Sequence, residues 1–204
     1  NTLKNISNEI IKHAGFSNHS GLFNGKMGSV IYLYHYYQYC NKKEYINYAN
    51  QLLDEVINCM PESCRFNNGL SGIAWGISHL IKNNFIDADS DILENINNII
   101  WDQKGYYKKD IQPTFNIGLY IAQQLKINPD SIWKKRSYFH LQMINDILNT
   151  RYISYSFPVY TCFDLLSIFY FCEILSINNL FSSDILKLYM TSEQLIEIAY
   201  KEDT

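Results

Sequence analysis

The sequence predicts an all-α protein built of helical hairpins, and three observations carry that prediction. Segments that are apolar nearly all round alternate with segments apolar along one stripe, the pattern of buried helices covered by surface ones. A glycine-rich turn recurs: Gly21-Leu22, five residues, Gly28, and again Gly69-Leu70, five residues, Gly76. From Gly21 to Gly69 the period is 48 residues, within the range of repeated helical hairpins. No stretch sustains the period-2 alternation of a strand; Tyr152–Tyr160 has strand-type residues but is interrupted by Pro158.

Taken in order, Leu3 to Ala14 carries apolar residues at 3, 6, 10, 11 and 14 and predicts a short amphipathic helix ending at Gly15. The first glycine turn holds Gly21, Gly25 and Gly28, and opens an all-round apolar helix from Lys26 to Cys40. Lys43 to Met60 follows with Tyr45, Tyr48, Ala49, Leu52, Leu53, Val56 and Ile57 on one stripe, and Pro61 stops it. The second turn, Asn68-Gly69-Leu70-Ser71-Gly72-Ile73-Ala74-Trp75-Gly76, opens another apolar helix through Lys82. Glycine inside a helix costs about 1 kcal/mol against alanine, so Gly69, Gly72 and Gly76 imply either a close backbone approach or a turn of positive φ.

Asp91-Ile92-Leu93-Glu94 has a capping-box pattern, and Ile92, Leu93, Ile96, Ile99 and Ile100 form the stripe of a covering helix. A third copy of the repeat is expected at Phe115–Tyr120, with Asn116 aligned to Gly72 and Ile117 to Ile73. Pro129-Asp130-Ser131 starts a further covering helix, Phe163 to Ile177 is again apolar all round, and a last element begins near Ser183-Asp184. No composition shift marks a boundary, so residues 1–204 are expected to form one domain.

A net charge of −3 argues against a general nucleic-acid binder. No run of about 18 uninterrupted apolar residues is present, so no membrane span is expected. The odd count of five cysteines favours reduced thiols and a cytoplasmic protein.

On the runs at Gly21-Leu22 and Asn68–Gly76, the chain resembles the lanthionine synthetase C-like family, best over residues 20 to 100. That resemblance implies an α/α toroid of inner and outer helices, of which this chain would form a part or a reduced version. It also implies a function in peptide maturation (natural product biosynthesis of the lanthipeptide type), adding cysteine thiols to dehydrated Ser or Thr of a precursor peptide held on the inner face. The family's catalytic zinc, held by two Cys and one His with a Cys-His pair adjacent, is expected with the resemblance; this chain has no adjacent Cys-His pair, so no metal ligand is carried over. A non-catalytic, metal-free binding or scaffold module of the same fold is the alternative, and pairing with itself or with a partner protein is expected of an incomplete toroid.

No residue earns a firm catalytic or substrate-binding assignment. His79, one turn after Trp75, is the catalytic candidate, against the competing reading of a hydrogen-bonded inner-helix histidine. His35 is not expected to be its equivalent, because Gly28 precedes it by seven residues whereas Gly76 precedes His79 by three. Cys59-x4-Cys64 has a zinc-site spacing without a second ligand pair, and Cys162 and Cys172 read as small core residues. Gly21, Gly25, Gly28, Gly69, Gly72, Trp75 and Gly76 read as a structural motif.

Overall fold

A computed structural model describes residues 2–23, 25–87, 90–102, 117–121, 123, 124 and 137, without the side chains of 90–92 and 102. The expected capping box at Asp91, Cys162 and Cys172, and the readings over Pro129–Ser131, Tyr152–Tyr160, Phe163–Ile177 and the last helix, lie outside that description. The chain divides into two compact units, Asn1–Gln123 and Gln124–Thr204, and the first is described below.

Five helices succeed one another: α1 (Thr2–Ala14), α2 (Lys26–Cys40), α3 (Lys43–Asn58), α4 (Leu70–Lys82) and α5 (Ser90–Asp102). Residues 117–121 are helical too, and among the described residues there is no strand. The all-α prediction is therefore correct. Helix α2 packs most extensively on α3, α4 packs on α5, and α2 and α4 touch, so two hairpins stand with their apolar helices side by side.

Helices α3 and α4 bury the faces their sequences offer, whereas α1, α2 and α5 depart from expectation: α2, apolar nearly all round, buries five of its fifteen residues and leaves Tyr39 exposed. Helix α3 buries Tyr45, Ala49, Leu52, Leu53 and Val56, leaving Asn47, Asn50 and Asp54 exposed. Helix α4 buries nine of its thirteen residues, as its all-round apolar sequence requires. In α1, however, Leu3 and Ile6 stay exposed while Ser7 is fully buried. The Ser7 hydroxyl donates to the Leu3 carbonyl (2.7 Å) and pairs with the Tyr32 hydroxyl (3.2 Å), so a satisfied polar group takes the contact with α2. In α5, Ile96 and Ile100 are buried but Ile99 faces out.

The glycine turns show why the repeat exists, and they correct its register. Gly25 caps α2 and Gly69 caps α4, in nearly the same extended conformation (φ −128°, ψ −179° and φ −125°, ψ −170°). The Lys26 N–H donates to the His19 carbonyl (2.9 Å), and the Leu70 N–H donates to the Ser63 carbonyl (2.8 Å). A Cβ on Gly28 would strike the Leu22 carbonyl oxygen, and one on Gly72 would strike the Phe66 carbonyl oxygen. Every one of these pairs is 44 residues apart. The 48-residue alignment of Gly21-Leu22 with Gly69-Leu70 matches a dipeptide within the first turn to one that straddles the start of α4. The corrected period joins the third copy, since Asn116 stands 44 residues after Gly72. None of these glycines needs positive φ; the left-handed positions are Asn41 and Asn84. Close approach is the reason for the glycines.

The two turns also lock together. The Phe23 N–H donates to the Asn67 carbonyl (2.8 Å), and Gly21 lies so close to the Asn68 backbone that a Cβ there would overlap its Cα. A Cβ on Gly76 would meet the Met27 side chain, so α4 packs against α2 there without a side chain of its own.

Candidate functional site

The 44-residue register brings together two residues that the 48-residue reading separates. Seven residues after Gly28 is His35, and seven after Gly72 is His79, so both occupy the same rung on neighbouring helices. Their Nε2 atoms are 2.9 Å apart, with ring centroids separated by 5.2 Å. The signal was present as Gly-x-x-Gly followed by His in both copies; the Gly-Leu dipeptide obscured it. The same rung in the third copy is Gln123, which is buried and whose Nε2 donates to the Trp75 carbonyl (3.4 Å).

Aromatic rings hold the histidine pair from both sides. Trp75, one turn earlier on α4, stacks on His79 (5.4 Å between centroids, 13° between planes). Phe85 presents its ring edge-on to His35 (4.8 Å, 84°) and also packs against Tyr34 (5.4 Å). Phe85 reaches this position because Asn84 turns left-handed (φ 55°) after α4, letting the Phe85 N–H return to the Leu80 carbonyl (2.9 Å). In the other direction the rings continue from Trp75 to Phe66 (6.1 Å) and on to Phe23 (6.2 Å), in the interlocked turns. His35 is exposed, and Trp75 and His79 are half-buried.

Asn83 Nδ2 donates to the His79 carbonyl (2.7 Å) and lies 3.4 Å from His79 Nε2. One imidazole of the pair donates and the other accepts, according to their tautomers. Burial first, and then the neighbouring His35 and Lys82, hold the His79 imidazole below its ordinary pKa. The site thus presents two hydrogen-bonded imidazoles, one stacked on an indole and the other perpendicular to a phenyl ring. Such a pair can accept a proton, relay it or ligate.

The other sequence candidates do not join it. Cys59 is exposed and Cys64 buried, neither of them in a disulfide, and the Cys64 carbonyl accepts a hydrogen bond from the Ser71 hydroxyl (2.7 Å). Among the described residues no group of three or more His, Cys, Asp or Glu could hold a metal ion, so these residues do not fit the Cys, Cys, His zinc set. A separate cleft of about 340 Å³ lies at the first glycine turn, lined by Ile10, Ser17, Leu22, Gly25, Gly28 and Ser29. Among the described residues no helix is long and apolar enough to cross a membrane.

A family model described as lanthionine synthetase C-like protein matches residues 1–143. No curated protein and no solved structure matches the chain.

Proposed function

Because this chain belongs to the lanthionine synthetase C-like family, we propose that it takes part in the maturation of lanthipeptide-type precursors, in the cytoplasm. The family match is the observation that carries this reading. In it, residues 1–204 form one domain whose hairpins follow the family's toroidal arrangement, with α2 and α4 as inner helices. The precursor peptide lies along the accessible rings of Phe23, Trp75 and Phe85, beside the two histidines. A peptide backbone needs both kinds of contact: rings to cover side chains and hydrogen-bonding groups to meet its amides. His79, held below its ordinary pKa by burial and its neighbours, is the residue for proton transfer from a cysteine thiol, whose ordinary pKa is about 8.5.

The test is a peptide carrying one cysteine and one dehydroalanine. Addition of the thiol across the alkene leaves the mass unchanged and removes one maleimide-reactive thiol, so the two are read together by mass spectrometry. Binding of the dehydrated peptide, weakened in Trp75→Ala, supports the reading. Equal, negligible binding of dehydrated and unmodified peptides sinks it. Binding without loss of the thiol would instead assign the chain the role of a peptide-binding module.

A further inference from the structure

From the rung shared by α2 and α4, we propose that His35 and His79 form a two-imidazole site for a borderline divalent transition-metal ion of the Co²⁺, Ni²⁺, Cu²⁺ or Zn²⁺ class. The inference does not depend on the peptide reading. Two ring nitrogens bound at about 2.0–2.1 Å to one tetrahedral ion stand about 3.3 Å apart. The Nε2 atoms here are 2.9 Å apart and the ring centroids 5.2 Å, so the rings stand end to end; an ion takes the place of the shared hydrogen when each ring pivots by roughly 35° and the nitrogens part by about 0.4 Å. In the Nδ1–H tautomer each imidazole presents its Nε2 lone pair to the ion.

The surroundings favour this exchange. Trp75 stacked on one ring and Phe85 edge-on to the other hold both imidazoles in place, so little rotamer freedom is left to lose on binding. His35 is exposed, which provides an entry path. Imidazole donors suit Co, Ni, Cu and Zn rather than Mg or Ca. No third His, Cys, Asp or Glu completes a ligand set among the described residues, so the remaining positions belong to water or to a donor atom of a bound molecule.

The whole chain, stripped with chelator, would be titrated with Ni²⁺ and with Zn²⁺ by calorimetry at pH 7.5. The expected result is one equivalent bound, weakened by more than about tenfold in both His35→Gln and His79→Gln and unchanged in Cys59→Ser. No binding, or binding indifferent to both histidine substitutions, overturns the proposal. Pulsed electron paramagnetic resonance of the unsubstituted protein with one equivalent of Cu²⁺ decides the matter should either variant fail to fold. Two imidazole nitrogens on the ion support the site; none or one overturns it.

Discussion

At the scale of single residues, the glycines divide by what stands opposite them. Gly72 faces the Phe66 carbonyl, which is backbone, whereas Gly76 faces the Met27 side chain, which can swing aside. Gly72→Ala is therefore expected to destabilise by about 1–3 kcal/mol, as an overpacked core does, and Gly76→Ala by less. Urea denaturation of the two variants checks the order; equal costs would contradict it. His79 makes a prediction about pH. Its folded pKa lies below the unfolded value of about 6.5, so the unfolded chain takes up the proton first. The contribution of His79 is full above about pH 6.5 and is lost as the pH falls through that value towards the folded pKa. Melting temperatures from pH 8 to pH 5.5 should decline in that window, and His79→Gln should flatten the decline. Burial, with the Asp54 carboxylate adding to it, pushes Tyr34 up to about 12, so its hydroxyl stays protonated and donates to Asn50 throughout this range.

At the scale of elements, the helix ends carry the design. Lys26 places a cation in the first turn of α2, the end where a helix disfavours positive charge, and Glu55 of α3 pairs with it. The Lys26 hydrogen bond holds Glu55 below the usual carboxylate range, against the opposing effect of burial. The stability it adds is present above the unfolded carboxylate pKa and is lost as the pH falls through the folded one. Because Glu55 remains partly exposed, Glu55→Gln is expected to cost no more than about 1 kcal/mol at pH 7 by chemical denaturation. Asn84 matters more to the site. A residue with a Cβ in the left-handed region costs about 1–2 kcal/mol unless it is Gly, Asn or Asp. Asn84→Ala should therefore lower stability by about 1 kcal/mol and disturb Phe85 against His35, whereas Asn84→Gly should preserve both; histidine ring proton shifts report the difference. The helices were legible in the sequence because their stripes are simple, as in Tyr45 to Val56. The outward Leu3, Ile6 and Ile99 were not, because periodicity marks a face without saying what packs on it. The histidine pair was hidden by one misplaced dipeptide, Gly21-Leu22, since the turn before α2 spreads over seven residues while Gly69-Leu70 sits on the helix start.

At the scale of the molecule, hairpin order was readable from the alternation of buried and covering helices, and the family from the same turns. What covers the hairpins was not readable, because apolar residues on an outer face look the same whether water or another chain meets them. Leu3 and Ile6 of α1 and Phe16 beyond it are exposed. Pairing with a second copy would cover them. Light scattering is expected to give a mass above the 24.0 kDa of one chain, and a monomer at all concentrations would count against pairing. The interlocking of the two glycine turns has a consequence for how such a chain changes over generations. Phe23 is tied to Asn67 and Gly21 is pressed on Asn68, so neither turn tolerates a change in length without unseating its neighbour. Among descendants of this gene, changes of length within either turn should be rare, and whole repeats should be gained or lost in steps of 44 residues.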